Sequence, residues 1–220
     1  MKKYLQITTI ITIIILLSIL LTQIKSIRDI VYIYQNRNNF FTLKNDDIPP
    51  LQILHRCKQL EQCNLEQGDI LIRRHITNRV WLLTKITHPH FTHSAIYIGN
   101  NKIIEAGGQE KDRENDIRII DIDKSDWLQN NIDEIVIFRP ILSKQSTVNM
   151  ISSLTTIAND PEYYFGLHKF DAKRSTCAEL IYDQLLSQRL VHNANYNDKV
   201  TPDFLFYTLM NSKDKFELIQ

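Results

Sequence analysis

The sequence predicts a single α+β domain. Strand-like runs cluster between residues 70 and 138, helix-period patterns fill much of the chain beyond them, and no internal repeat or low-complexity tract breaks it. At 220 residues, 43% hydrophobic and 23% charged, the chain is long enough to bury a substantial core and is neither disordered nor collagenous in composition.

Taken in order, a helix-like stretch covers 51–61, and Gly68-Asp69 opens an apolar run, Ile70 to Ile72, of strand character. Residues 80–86 read as a short helix broken at His88-Pro89, because the residue before a proline is pushed out of the helical region. The clearest strands are His93 to Ile98 and Lys102 to Ala106, separated by Gly99-Asn100-Asn101; Ile117 to Ile122 and Ile132 to Phe138 come next. Helical periodicity returns over Val148 to Ala158 and Cys177 to Leu190, and a last helix starts near Pro202.

The amino terminus has a different character. Lys2 and Lys3 precede an apolar run from Tyr4 to Ile24, 21 residues, which is long enough for a membrane span and longer than the apolar core of a cleaved signal peptide. The expectation is a transmembrane anchor over 1–25, a tether over 26–50 that ends in Pro49-Pro50, and a folded domain over 51–220. The leading lysines put the amino terminus in the cytoplasm and the domain outside it. The expected location is therefore a bacterial inner membrane, single-pass, with secretion to the periplasm after signal cleavage as the alternative.

Charge and glycine content exclude several functions. Lys and Arg total 26 against 25 Asp and Glu; residues 1–25 hold three lysines and no acid, so the remainder stands at 23 − 25 = −2, which argues against binding nucleic acid. Five glycines, at 68, 99, 107, 108 and 166, allow neither a dinucleotide fingerprint nor a P-loop.

Thr176-Cys177-Ala178-Glu179 has the spacing of a capping box, with Thr176 as N-cap and Glu179 reaching back to it. Cys177 is then the first helical residue, where the helix dipole favours a thiolate; the same pattern also suits a buried, inert cysteine on an amphipathic helix. A nucleophilic thiol needs a base, and His93 opens a strand that can orient it. If Gly99, Asn100 and Asn101 form a three-residue loop, Ala95 opposes Glu105, and His93 and Glu105 fall diagonally on one face. A two-residue loop separates them. Glu105 would then fix the imidazole tautomer, as a triad requires, unless it is merely a solvated strand residue.

Several short motifs occur together in a telling order. Gln67-Gly68-Asp69-Ile70-Leu71-Ile72 and Thr92-His93-Ser94-Ala95-Ile96-Tyr97-Ile98-Gly99-Asn100 resemble the GDI and H-x-[GA]-I-Y-[IL]-G strands of the NlpC-like, papain-fold cysteine hydrolases. The cysteine motif here comes after those strands, as in the circularly permuted branch. Thr87 through His93, Ile104-Glu105-Ala106, Cys177-Ala178-Glu179-Leu180 and Val200-Thr201-Pro202-Asp203 are similar to the motifs of its YiiX/YebB-like group. The resemblance spans about residues 66 to 208. It implies a permuted papain-like fold, an antiparallel sheet or small barrel packed against helices, with Cys177 as nucleophile, His93 as general base and then acid, and Glu105 orienting His93. Tyr164 matches a tyrosine that lines the pocket or donates to the oxyanion. No cofactor or metal is implied.

The implied activity is cleavage of an amide or ester bond through a thioester, in a peptide, a murein peptide or a lipid acyl chain. A lecithin retinol acyltransferase-like enzyme shares much of the order, but it has a second histidine where Glu105 stands. A catalytically silent binding module is the other alternative. Cys57 and Cys63 have a separation compatible with a local disulfide, and zinc sites drawn from His55, Cys57 and Cys63, or from His88, His90 and His93, lack the usual four-ligand spacing.

Overall fold

A computed structural model of the chain describes residues 10–15, 31, 34–44, 63–75, 88–107, 117–125, 127, 132–166, 174–192 and 199–219. The chain divides into two units, Met1–Asn38 and Asn39–Gln220. In the first, residues 10–15 are helical and exposed, and the Arg37 guanidinium lies over the Tyr34 ring, 4.7 Å from its centroid. Among the described residues no helix is long and apolar enough to cross a membrane.

That finding corrects the expected transmembrane anchor and, with it, the single-pass inner-membrane placement. An apolar run is only half of such a signal; a span also needs about 20 residues of apolar helix, and no described helix supplies them. The helices expected over 51–61 and 80–86, Cys57, and residues 45–50 of the tether lie outside the described residues. Residues 39–44 of that tether belong to the second unit. There Phe40 bridges Lys199 in parallel fashion, and Thr201 Oγ1 donates to the Phe41 carbonyl at 2.9 Å.

The second unit is α+β and is built on six antiparallel strands: β1 (Ile70–His75), β2 (His93–Gly99), β3 (Lys102–Ala106), β4 (Ile117–Asp121), β5 (Ile132–Pro140) and β8 (Phe216–Leu218), in the order β4-β3-β2-β1-β5-β8. A short parallel pair, β6 (Tyr164–Phe165) and β7 (Arg174–Ser175), stands apart from them. Among the described residues three α-helices complete the unit: α1 (Lys144–Asn159), α2 (Cys177–Ser187) and α3 (Pro202–Asn211).

Alternation sorts the strand residues into two layers. Ile70, Ile72, Ile96, Ile104, Val136 and Phe138 join one buried cluster with Leu180, Ile181 and Leu205 of the helices. Leu71, Ala95, Ile103, Ile135 and Ile137 join a second cluster on the other face, closed by Trp127. Both faces of the central strands are covered, which is why Ile70-Leu71-Ile72 is uniformly apolar rather than alternating. Phe206, fully buried, packs between the Phe91 and Phe138 rings with centroids 4.7 and 5.7 Å away, so truncation to alanine would cost about 3–5 kcal/mol.

Polar anchors fix the frame. Asp69 is fully buried at the start of β1 and receives Arg139 Nε and Nη2 at 2.8 and 2.9 Å and the Glu66 amide at 2.7 Å, which explains the Gly68-Asp69 motif structurally. Asp203, also fully buried in α3, accepts the amides of Leu43, His90 and Phe91 at 3.1, 2.9 and 2.6 Å. It thereby holds the segment that leads into β2.

The β2–β3 hairpin reaches its register in an unexpected way. Gly99 pairs with Lys102, so the turn is the two-residue Asn100-Asn101, both with positive φ (52° and 59°), as a mirror-image hairpin turn demands. A bulge between Tyr97 and Gly99 then restores the pairing of Ala95 with Glu105. Gly99 sits at φ 89°, and a Cβ there would lie 2.6 Å from the Gln67 side chain. The loop is shorter than the sequence suggests, yet its parity is the expected one because the bulge supplies the missing residue.

Candidate active site

Cys177 opens α2, and the capping box at that end is complete. Thr176 Oγ1 accepts the Glu179 amide at 3.2 Å, while Glu179 Oε2 accepts the Thr176 amide at 3.0 Å. Buried Ala178, Leu180, Ile181 and Leu185 pin the helix against the sheet, so the sulfur is held on a rigid element. Cys177 is a free thiol, 7% exposed, whereas Cys63 is engaged in a disulfide.

His93 is the first residue of β2, and its Nε2 lies 2.8 Å from Glu105 Oε2. Glu105 is 2% exposed, and four donor contacts surround it. Arg118 brings Nε and Nη2 to Oε1 at 2.8 and 2.6 Å; Trp127 Nε1 donates to Oε2 at 2.9 Å beside His93. Burial alone would raise the Glu105 carboxyl, but the hydrogen bond and charge of His93, then Arg118 and Trp127, hold it well below the usual carboxylate range. An ionised carboxylate can only accept, so His93 Nε2 must carry a proton. Nδ1 is left as the nitrogen that serves the thiol.

His93 and Cys177 lie close enough to reshape each other's titration. Burial pushes the imidazole toward its neutral form, yet the sulfur's charge and hydrogen bond, with Glu105 behind, raise its pKa from 6.5 to about 9. Burial pushes the Cys177 thiol up; the charge and hydrogen bond of His93, with the Ser94 amide and hydroxyl after them, outweigh it and hold the thiol below its ordinary value. Both shifts favour the thiolate and imidazolium, the form that reacts with electrophilic carbon.

The structure thus brings Cys177, His93 and Glu105 together. Tyr164 is placed in β6, opposite Arg174 of β7, which runs directly into the N-cap of α2. His90 pairs instead with Glu134, Nε2 to Oε2 at 3.0 Å, so it does not join His93 in a common site. Among the described residues no group of three or more His, Cys, Asp or Glu is arranged to hold a metal ion.

Three surrounding residues are not picked out by the sequence patterns. Arg118 pairs with Glu105 across β3 and β4, and the alternation Ile117-Arg118-Ile119 in a strand was the available signal. Trp127 lies in an irregular segment where no periodicity points to it; it packs beside His93 with centroids 5.7 Å apart, under the Arg73 guanidinium at 4.5 Å. Ser94 is fully buried beside Cys177. No protein-family model matches the chain, and no curated protein matches it at a significant level.

Proposed function

We propose that the protein is a cysteine hydrolase that cleaves an amide or ester bond through a thioester, on a permuted papain-like fold of the NlpC-like kind. One observation supports the reading above all others: a free thiol at a capped helix start beside an imidazole whose other nitrogen is bonded to a buried, ionised carboxylate. The motif order of the sequence points the same way.

In this reading the Cys177 thiolate attacks the substrate carbonyl carbon. The oxyanion is met by the Cys177 amide, which at the first turn has no intrahelical acceptor. The C–N or C–O bond then breaks, the leaving group takes the proton from the His93 imidazolium, and an acyl thioester remains. Water, deprotonated by His93, attacks the thioester; the C–S bond breaks, releasing a carboxylate and restoring the thiolate and imidazolium. Glu105 stabilises the charged imidazole throughout. Tyr164 enters as a wall of the substrate site, and the substrates are peptides, murein peptides or lipid acyl groups.

The test is iodoacetamide labelling of the full chain with Cys177→Ala as blank, then incubation with peptide, murein-peptide and phospholipid substrates and assay of released amine or carboxylate. Labelling at neutral pH much faster than free cysteine, with a product that disappears in Cys177→Ala, is expected. A Cys177 that labels no faster than free cysteine would overturn the reading.

A further inference from the structure

We infer that Ser94 is a positioning residue whose hydroxyl donates to the Cys177 thiolate and holds it ready for attack. The inference rests on the nucleophile assigned to Cys177 above. Ser94 pairs with Ile72 in the β1–β2 ladder, and Ile72 belongs to the helix-side cluster that also contains Cys177. The side chain of Ser94 therefore faces α2, while its neighbour His93 lies opposite Arg73 on the Trp127 side.

Ser94 is fully buried, and among the described residues its hydroxyl makes no hydrogen bond, to sulfur or to any other acceptor. A buried hydroxyl left without a partner costs roughly 1–3 kcal/mol, so a native chain that keeps one needs a reason for it. The group it faces is the Cys177 sulfur, which the Ser94 amide also faces. A thiol asks little of such a donor. A thiolate accepts a charge-assisted hydrogen bond, and the bond is strongest in the state from which attack begins. Once the sulfur is acylated its charge is gone, and the hydroxyl loses its acceptor until hydrolysis restores it.

Among the described residues, the other charged groups on the elements around the thiolate are identifiable. His93 approaches from β2, with Glu105 of β3 and Arg118 of β4 behind it; on α2 itself Glu179 is occupied by the Thr176 amide. Ser94→Ala leaves all of these in place and removes one oxygen.

The experiment reads the Cys177 thiolate directly, by its ultraviolet absorbance against pH with Cys177→Ala subtracted, alongside iodoacetamide labelling, in the wild type, Ser94→Ala and Ser94→Thr. In Ser94→Ala the apparent thiol pKa should rise by about one unit, which lowers the thiolate fraction below it about tenfold. The labelling rate should fall by less, because a more basic thiolate is intrinsically more nucleophilic. Ser94→Thr, which keeps the hydroxyl, should return the profile toward wild type. A fast-labelling wild type with Ser94→Ala superimposed on it overturns the role of Ser94 alone. A wild type whose thiol titrates in the ordinary range overturns both this inference and the nucleophile on which it rests.

Discussion

Arg118 grips one oxygen of Glu105 with two N–H groups, at 2.8 and 2.6 Å, and leaves the other oxygen to His93 and Trp127. The arrangement fixes which way an amide would sit in place of the carboxylate. In Glu105→Gln the side-chain oxygen would turn to Arg118 and present its NH2 to His93 Nε2. That reverses the imidazole tautomer and puts the proton on the nitrogen that should take one from the thiol. Hydrolysis should fall by about 10³- to 10⁴-fold, the scale seen when a triad carboxylate becomes an amide, and the onset of Cys177 labelling should move up toward the ordinary thiol range. Steady-state kinetics and a pH-labelling profile check both.

Trp127→Phe keeps most of the ring that packs beside His93 and under Arg73 but deletes the donor to Glu105. A stability loss of about 1.5–3 kcal/mol is expected in urea denaturation, the scale of a hydrogen bond to a charged group. The labelling onset should move in the same direction as in Glu105→Gln and by less.

Stability should depend on pH through His93. Its pKa rises from 6.5 to about 9 on folding, so its contribution is complete below 6.5 and is lost as pH climbs through about 9. The gap of about 2.5 (9 − 6.5) corresponds to about 3 kcal/mol as an upper value. Cys177, held below its ordinary value, works with the opposite sign and loses its contribution as pH falls. Denaturation midpoints of the wild type and His93→Gln should converge between pH 6.5 and 9; curves that stay parallel would contradict the raised imidazole.

Asp203 lies outside the proposed triad yet anchors the approach to it, because two of its three amide donors, His90 and Phe91, belong to the segment leading into His93. Asp203→Ala strands those amides and should cost about 3 kcal/mol, with Asp203→Asn costing less since one oxygen still accepts. Urea midpoints with unchanged slope would assign the loss to the native state.

Much of this site was legible in the sequence because the signals were local. The Thr176 to Glu179 spacing encodes a cap that the structure contains, whereas the pairing of Ala95 with Glu105, expected from a three-residue loop, is reached through a two-residue turn and a bulge. Arg118 and Trp127 were not legible, since they reach Glu105 across connections whose length carries no register. The amino-terminal run failed for a different reason. Hydropathy measures composition alone, and among the described residues no helix is long and apolar enough to cross a membrane.

The bulge between Tyr97 and Gly99 acts as a parity bit. Iron that bulge out while keeping its residues and the two-residue turn, and β3 still pairs with β2, still alternates, and still offers an isoleucine to each face, since Ile103 and Ile104 merely trade places. Glu105 alone changes meaning: it is delivered to the apolar helix side, and the surface beside His93 receives Ala106 instead. A hairpin regularised around the same turn thus leaves a chain that can fold and has lost the carboxylate beside His93, whereas deleting the extra residue would keep Ala95 opposite Glu105. Register here is constrained by chemistry rather than by stability.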